Sequence, residues 1–437
     1  MRQAILCILA IAAVFVVLGR LGREVDDGRT AIEFWCYGTG GADNPTATFW
    51  HCAAEDFMAA RPGVRVKVVA DIAHGPYLSV LTTRFIGGNP PDVMIMDDWF
   101  MGQLAREGLL MPLESFIRAD STYRAEDFVP SMVGDGYMGN ERYSIPWYGG
   151  FGCLFYRTDL FAQAAVAPPE TWSDLIEVCR VLKDKTGLEY PLAFTPRAAF
   201  WTMPWAWQNG ASVLTPDCRK VTVDEQAFIE AARFVHDLMH EHSVADPSLA
   251  LGTKITDLWA TGQAALVIDG SWNIGRYDEL YPQWKGKWNV APLPAGKHAV
   301  TFFGGQHLLM SKRTKHPDLA WAFMAFATSA ENQRLFADFT GCPPGNLKTY
   351  EMPAFQERHP RLMIAPEVIP NGRNNRFAPF YKKVWYELFQ SKVLDVVMPD
   401  PNADIAGAIR ETSIDMQAVA DDYWATHDYY LQGVPGT

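Results

Sequence analysis

Hydrophobic and polar positions in the first part of the chain follow two patterns in turn, one typical of buried strands and one typical of amphipathic helices. The predicted strands are 31–37, 64–69 and 93–96. The predicted helices are 46–60, 76–86 and 99–107. Strands that alternate with helices predict a parallel α/β sheet, because parallel strands need crossover connections.

The rest of the chain continues as a mixture of strands and helices. Two strands are predicted at 143–147 and 153–156, with a break at 148–151 (Tyr-Gly-Gly-Phe). Thr171 and Asp174 form a capping-box pattern that predicts a helix start. The later predicted helices are 172–185, 201–209, 225–242 and 318–327, and the later predicted strands are 265–268 and 307–310.

Polar and aromatic residues follow the predicted parallel strands directly. In open α/β sheets, ligands bind beyond the carboxyl ends of the strands. Trp35 and Tyr37 end the first strand, and Asp97 and Asp98 follow the third. We expect Asp97 to bind a ligand hydroxyl. Asp98 either binds the ligand together with Asp97 or caps the helix that begins at the next residue.

Aromatic residues make up 13% of the chain, and the tryptophans fall into two sets. Trp172, Trp259 and Trp321 lie in helical patterns and are predicted to be core residues. A second set lies at strand ends or beside glycine and proline. Its members are Trp35, Trp147, Trp272 and either Trp205 or Trp207. Such rings can stack on the apolar face of a sugar, or they are core residues as well.

Charge and motifs exclude several functions. The net charge of −12 disfavours nucleic acid as a partner, because such binding depends on lysine and arginine. The sequence has no G-x-S-x-G motif, no Walker loop and no H-E-x-x-H motif. His236 and His240 share a helix face, which we interpret as a surface feature and not as a metal site. A glycosidase carboxylate pair that includes Asp97 or Asp98 stays open, since its spacing is not readable from sequence.

The N-terminus predicts export from the cytoplasm. Residues 4–18 carry no charge, and a 15-residue helix spans only about 22 Å of a roughly 30 Å bilayer core. We therefore expect a signal peptide over 1–23, or an uncleaved anchor formed by residues 4–22, and a protein on the extracytoplasmic face of the membrane or in the periplasm. Cys7 lacks the context of a lipid-attachment cysteine, and the even number of later cysteines is compatible with disulfides.

Several short segments, in order over about 31–345, resemble the sugar-binding group of extracytoplasmic solute-binding proteins of ABC importers, which includes maltose- and glycerol-3-phosphate-binding members. Among these segments are Ile32-Glu33-Phe34-Trp35, Pro91-Asp92-Val93, Pro169-Glu170-Thr171-Trp172-Ser173-Asp174-Leu175, Gly270-Ser271-Trp272, Pro292-Leu293-Pro294 and Ala320-Trp321-Ala322-Phe323. Arg157 and Leu266 depart from the usual Asn and Met of the family.

The resemblance implies a two-lobed α/β fold of the periplasmic-binding-protein type, with a hinged cleft and discontinuous lobes. The first lobe would comprise 31–147 and 299–342, and the second 153–295 and 349–437. The resemblance also implies a set of ligand-facing positions. They are Trp35, Tyr37, Asp97, Trp147, Tyr148, Trp272, Gly304, Gly305 and, in the tail, Arg376.

The function implied is capture of a sugar or oligosaccharide by a monomer that delivers it to the transmembrane subunits of an ABC permease. It needs no catalytic residue, metal or cofactor. An anionic solute bound by Arg157, Arg197 or Arg376 is the main alternative within this fold. A secreted carbohydrate-active hydrolase and an anchored sensory component are the others.

Overall fold

The computed structural model describes residues 28–38, 44–374, 378 and 380–427. The predicted export segment at 1–23 and Arg376 lie outside these ranges. Within them, no helix combines the length and the apolar composition that a membrane span needs.

Three strand and helix pairs open the described chain in the predicted order. The strands are β1 (Thr30–Gly38), β2 (Val64–Ala73) and β3 (Val93–Asp97), and the helices are α1 (Pro45–Ala59), α2 (His74–Ile86) and α3 (Asp98–Arg106). Strand β1 pairs in parallel with both β2 and β3. Asn44 begins α1, because its side chain accepts hydrogen bonds from the Thr46 and Ala47 amides. The predicted parallel sheet is confirmed.

Two long strands connect the halves of the molecule. Strand β6 (Ser144–Arg157) runs antiparallel to β10 (Thr301–Met310). Strand β10 also pairs with β3, and the second half of β6 pairs with β8 (Leu266–Gly270) and β9 (Trp288–Ala291). The sheet therefore continues from the first part of the chain into the second through β10 and β6.

The predicted break at 148–151 is wrong, and so is the predicted start of the last strand at 307. The glycines of the first segment pair directly with Gly304 and Gly305. Glycine has a low strand propensity, so both runs indicate loops when each is considered alone. In the structure each run supplies the other with its hydrogen-bonding partner.

The strand order of the main sheet is β2-β1-β3-β10-β6-β8-β7, with β9 on β6 and β11 on β10. Strand β7 is Leu192–Ala193 and β11 is Gly372–Arg373, and a separate hairpin joins β4 (Tyr137–Met138) to β5 (Glu141–Arg142). Strand β8 pairs in parallel with β7, so the second part of the sheet repeats the α/β character of the first.

The remaining helices cover the sheet. They are α4 (Glu114–Ala119), α5 (Pro130–Asp135), α6 (Thr158–Ala164), α7 (Trp172–Thr186), α8 (Ala199–Gln208), α9 (Gln226–His240), α10 (Ile255–Ala260), α11 (Ile274–Leu280), α12 (Pro317–Ala327), α13 (Ala330–Thr340), α14 (Pro353–Arg358), α15 (Ala365–Val368), a π-helix (Lys382–Leu394), α16 (Asp395–Val397) and α17 (Ile405–His427). Short 3₁₀ turns are Ala125–Asp127, Pro247–Leu251, Ser271–Asn273, Pro282–Trp284, Leu347–Glu351, Pro360–Ile364 and Ile369–Asn371. The capping box predicted at Thr171 and Asp174 is confirmed.

Two hydrophobic cores divide the packing. The first lies among β1, β2, β3, α1 and α12, with Phe34, Trp50 and Phe323 at its centre. The second lies among β8, α7, α9, the π-helix and α17, and it contains Phe228 and Trp385. Strands β6 and β10 contribute side chains to both cores. The predicted two-lobed α/β fold agrees with this division, while the residue bounds given for each lobe stay a prediction.

The cysteines of the described residues form no disulfide with one another. Cys36, Cys153 and Cys179 are buried in the cores, and burial raises the pKa of each of these thiols. Cys179 packs as the small core residue that the helical pattern predicts.

Candidate ligand-binding cleft

A cavity of about 1250 Å³ lies between the parts of the chain that enclose the two cores. Tyr148 and Gly150 of β6 and Gly304, Gly305 and Gln306 of β10 form one stretch of its lining. One wall comes from the ends of β1 and β3 and from α2 and α3. The other comes from α8, α11 and the helical tail, by which we mean the mostly helical part of the chain beyond residue 349. The cavity therefore has the place of an interlobe cleft.

Four glycines form a strip where β6 and β10 pair, which we call the glycine strip. Gly150 is opposite Gly304, and Gly149 is opposite Gly305. A Cβ atom on Gly305 would lie 2.0 Å from the carbonyl oxygen of Tyr148, which no side chain permits. The glycine strip therefore leaves main chain where other strands carry side chains.

On the first wall, Asp97 accepts hydrogen bonds from Tyr37 and His74. The Tyr37 hydroxyl donates to Oδ1, and Nε2 of His74 lies 2.7 Å from Oδ2. Tyr37 and Asp97 lie at the carboxyl ends of β1 and β3, and His74 directly follows the neighbouring β2, so the three side chains meet at one edge of the sheet. The hydrogen bond to Asp97 raises the pKa of His74, although partial burial opposes it. Burial and the Asp97 charge raise the pKa of Tyr37 well above its usual value.

On the second wall, the Trp272 indole covers glycine main chain and lines the cavity. A Cβ on Gly150 would lie 2.7 Å from ring carbon Cε3, and one on Gly270 would lie 2.1 Å from Cζ2. The ring thus occupies the space that side chains at these two positions would fill. Phe200 and Trp201 are its aromatic neighbours, with centroids 6.2 and 6.1 Å away.

A buried carboxylate supports the turn that carries Trp272. Asp269 accepts hydrogen bonds from the Gly270 amide (2.7 Å), the Asn273 side chain (2.9 Å) and the Tyr277 hydroxyl (2.7 Å). Burial raises the pKa of Asp269, while these hydrogen bonds lower it. The network fixes the main chain on both sides of Trp272.

Aromatic side chains surround the cavity. The lining contains Tyr37, Phe100, Tyr148, Phe200, Trp272, Phe302, Phe336, Phe339, Tyr381 and Tyr386. Burial is the main cause that raises the pKa of Tyr148 and of Tyr386 well above the usual range, so both are neutral phenols that can donate a hydrogen bond. Flat rings with a few polar groups are suited to a neutral polar ligand.

Charged side chains at the α11 and α14 end of the cavity are mostly paired. Arg361 donates to Asp278 at 3.0 Å, and Nε of Arg358 lies 3.0 Å from Asp338. His359 also lies within 2.8 Å of Asp338. The pairs hold this end of the lining together and balance much of its charge.

The turn after α13 contacts the start of α11 through glycine. A Cβ on Gly275 would lie 2.3 Å from Cα of Gly341, and one on Gly341 would lie 2.2 Å from Cα of Gly275. Both residues line the cavity. Gly341 has a φ of 66°, a left-handed conformation that glycine adopts readily, whereas Gly275 lies in an ordinary helical turn.

Six of the predicted site residues lie together in the cavity lining. They are Tyr37, Asp97, Tyr148, Trp272, Gly304 and Gly305. They come from both walls and from the glycine strip, so the fold brings together positions that are far apart in sequence.

Four tryptophans of the predicted set lie outside the cavity lining, which corrects the expectation that Trp35, Trp147 and one of Trp205 and Trp207 face the cleft. Trp147 is fully buried among Phe49, Trp50 and Phe336, and Trp205 is buried against Trp172 and Phe234. Trp207 is likewise buried. The indole of Trp35 donates to Glu33 and lies under the Arg84 guanidinium, away from the cavity lining.

Asp98 also lies behind the cavity and not in its lining. Its Oδ2 accepts hydrogen bonds from the Gly305 amide (3.0 Å) and the Asn374 side chain (2.6 Å). Asn374 donates to Asp135 as well, and burial together with the Asp98 charge raises the pKa of Asp135. Asp98 therefore supports the glycine strip from behind the cavity lining.

The arginines expected for an anionic ligand are engaged elsewhere. Arg157 makes a bidentate ion pair with Asp159 (2.8 and 2.6 Å), and Arg197 donates to Asp395 at 2.9 Å. Neither arginine lines the cavity. Arg376 lies outside the described residues.

His236 and His240 lie with their rings 4.3 Å apart and hydrogen-bond to carbonyl oxygens. Nε2 of His236 donates to Asp400, and Nε2 of His240 donates to Met398, each at 2.9 Å. The pair therefore anchors the loop before α17, and the predicted surface position is wrong for His236, which is buried. Within the described ranges, no three histidine, cysteine or acidic side chains come together as metal ligands.

Several lining residues are not among those that the sequence predicts for the site. His74 was missed because β2 extends to Ala73, four residues beyond the predicted strand end. Tyr381 and Tyr386 belong to the helical tail, where their spacing shows no relation to a site. Phe302 lies in the part of β10 before residue 307, which the glycines there cause to be predicted as lying outside the strand.

Comparison with known proteins identifies the family. The model of the bacterial extracellular solute-binding protein family matches residues 42–334, about two thirds of the chain. The chain therefore belongs to the bacterial extracellular solute-binding proteins, and the resemblance inferred from its motifs is confirmed.

Relatives and solved structures agree with this assignment. The chain is 24% identical over 355 residues to an arabinooligosaccharide-binding protein of Halalkalibacterium halodurans, covering 77% of this chain and 76% of that one. It is 24% identical to a maltotriose-binding protein of Pyrococcus abyssi, covering 63% and 58%. The sugar-binding protein MalE of Xanthomonas citri superposes with a TM-score of 0.82 at 20% identity, covering 92% and 100%. This likeness confirms the two-lobed fold.

Proposed function

We propose that this protein captures a sugar or oligosaccharide in its cleft without chemical change and delivers it to the transmembrane subunits of an ABC permease. The observation that carries the proposal is the contrast between the two walls. Asp97, held by Tyr37 and His74, presents a hydroxyl acceptor on one side. The Trp272 ring presents a flat apolar surface on the other, as a sugar with hydroxyl edges and C–H faces requires.

The size of the cavity favours an oligosaccharide over a single sugar. Pockets that hold drug-sized ligands measure roughly 300 to 1,000 Å³. The cleft, at about 1250 Å³, exceeds this range. The names of the relatives support the same class, since they include proteins that bind arabinooligosaccharides, maltotriose and maltodextrin.

Delivery would depend on closure of the two lobes about β6 and β10. A ligand favours the closed form only by its higher affinity for that form, which requires contacts on both walls. Tyr37 and Asp97 contact it from one wall and Trp272 from the other in our proposal, with Tyr148 between them. Such hinge motion needs no second copy, and we propose that the protein is a monomer.

The N-terminal segment would place the protein outside the cytoplasm. The family supports an extracytoplasmic location, and we propose that residues 1–23 are either a cleaved signal peptide or an anchor. Mass spectrometry of the mature N-terminus distinguishes these forms. Retention of residues 4–22 supports the anchor, and their loss supports the signal peptide.

Two alternative functions have less support. The arginines expected to bind an anionic solute, Arg157 and Arg197, are bound by Asp159 and Asp395. In the lining, Arg358 and Arg361 are bound by Asp338 and Asp278. A hydrolase would need a free carboxylate pair. Of the four acidic residues in the lining, Asp278 and Asp338 are bound by arginines and Asp97 by Tyr37 and His74, and Glu279 is the fourth. Competition by glycerol phosphates tests the first alternative, and product analysis after incubation with glycosides tests the second.

Isothermal titration calorimetry tests the main proposal. The wild-type protein is titrated with maltotriose, maltodextrin, arabinotriose and lactose, and we expect saturable binding of at least one. The variants Trp272→Ala and Asp97→Ala should each weaken that binding by about tenfold or more, the size expected when one good contact is lost. Absence of binding to every sugar, or full affinity in both variants, contradicts the proposal.

A further inference from the structure

The Trp272 ring lies against glycine main chain of two strands. Gly150 lies in β6 and Gly270 ends β8, and the two strands are paired, with Gly152 opposite Gly270. Since alternate residues of a strand face the same side, Gly150 and Gly152 share one face of the sheet. Gly152 accommodates Trp201 in the same manner, because its Cβ would lie 3.1 Å from that ring. The glycines thus form a recess that aromatic rings fill.

A methyl group at either position would displace the ring. A Cβ on Gly150 would lie 2.7 Å from Cε3 and 3.2 Å from Cζ3 of Trp272, well inside the ordinary contact distance of 3.4 to 4 Å. Strand β6 has many main-chain partners on both sides, so the rigid strand does not give way. The indole must therefore tilt away from the strands, toward the cavity that it lines.

The main-chain conformation does not require glycine at position 150. Its φ is not positive, and Gly150 lies in a regular stretch of β6. The absence of a side chain is therefore needed for the ring and not for the strand. This separates Gly150 from Gly305, where a Cβ would collide with main chain.

We infer that Gly150 and Gly270 are positioning residues that set the depth of the Trp272 indole so that it stacks on a sugar ring of the bound oligosaccharide. The inference rests on the proposed function. Because stacking depends on the distance between two flat surfaces, a gap of about 0.5–1 Å forfeits roughly a quarter to a half of the contact energy, and a shift the other way pushes the ring into the ligand. The two glycines then determine which ligands fit between Trp272 and the opposite wall.

A double-mutant cycle tests the inference. The variants Gly150→Ala, Trp272→Ala and their combination are titrated calorimetrically with the sugar of the panel that the wild-type protein binds most tightly. We expect Gly150→Ala to weaken binding about tenfold in the wild-type background, and less than about twofold in the Trp272→Ala background. Gly134→Ala is the matched control, because no atom lies within 4 Å of its added Cβ.

The measured affinities distinguish failure of the inference from failure of the proposed function. Unchanged affinity in Gly150→Ala, or an equal loss in both backgrounds, overturns the inference while the proposed function stands. Absence of sugar binding by the wild-type protein contradicts the proposed function instead. Should Gly150→Ala fail to fold, recovery of the folded state in the Gly150→Ala, Trp272→Ala variant supports the collision with the ring. Failure of that double variant to fold counts against it.

Discussion

Trp147 and Trp272 have the same side chain in opposite surroundings. The Trp147 ring is fully buried, with centroids of Trp50 and Phe336 at 4.4 and 4.7 Å. The Trp272 ring packs on glycine main chain and lines the cavity. Burial, and not position at a strand end, thus decides whether a tryptophan stabilises the fold or is available to a ligand.

We expect the two rings to respond differently to removal. Trp147→Ala leaves a large hole in the first core and should lower the free energy of unfolding by about 3–5 kcal/mol. Trp272→Ala should lower it by much less, because its ring is only half-buried. Urea unfolding followed by circular dichroism measures both. Equal losses of stability in the two variants would contradict the assignment of Trp147 to the core.

His74 gives the molecule a pH-dependent contact. Its pKa is raised by the hydrogen bond to Asp97, so the pair stabilises the fold fully below the unfolded pKa of about 6.5. The contribution is lost as pH rises through the folded-state pKa. The effect is small because 62% of the side chain is exposed.

The melting temperature of His74→Gln tests this contact. We expect the variant to fall below the wild-type protein at pH 5.5 and to approach it at pH 9. His51→Gln, on the exposed side of α1, is the matched control and should show no such trend. A difference that stays constant with pH argues against the ion pair.

Among the elements, helix α7 shows how a local signal fixes a helix start. The Thr171 hydroxyl accepts the Asp174 amide at 3.1 Å, and the Asp174 carboxylate accepts the Thr171 amide at 3.0 Å. We expect Thr171→Ala to lower the free energy of unfolding by about 1 kcal/mol. Ser79→Ala, an exposed position within α2, is the control in the same urea experiment. No loss in Thr171→Ala would show that tertiary packing alone holds the helix.

Local signals explain which elements were predictable. Strands β1 and β3 are short apolar runs, and Thr171 marks its helix by residue type alone. The glycines of β6 and β10 look like loops, because each run needs the other as its partner. That pairing joins residues 150 and 304, a separation at which single-sequence patterns carry no information.

In the candidate site as well, some residues were predictable from local patterns in the sequence and others were not. Tyr37 and Asp97 were predictable because the carboxyl ends of neighbouring parallel strands meet. Trp147 was not, since the rings that enclose it come from α1 and α13. Asp98 supports the main chain of Gly305, a contact that no spacing in the sequence indicates.

At the scale of the whole molecule, the contact between Gly275 and Gly341 limits how closely the two parts of the chain approach. Gly275 lies beside Ile274 and Tyr277 of the second core, and Gly341 ends α13, which packs on α1 of the first part. A side chain at position 275 would meet main chain at 2.3 Å. The described arrangement therefore requires glycine at this point.

We expect Gly275→Ala to favour a more open arrangement. Alanine suits the helical turn of α11 better than glycine does, so folding should be preserved. Small-angle scattering should give a larger radius of gyration for the variant in the presence of the bound sugar, and calorimetry a weaker affinity. Gly134→Ala should match the wild-type protein in both. An unchanged radius and affinity in Gly275→Ala would mean that the contact adapts without opening.

The glycine strip has a consequence for engineering this protein. A Cβ on Gly305 would collide with the Tyr148 carbonyl oxygen at 2.0 Å, so randomising this position yields misfolded clones and not new selectivity. A mutant library aimed at another ligand should keep Gly305. It should instead diversify other residues that line the cavity, such as Phe100, Gln306 and Tyr386.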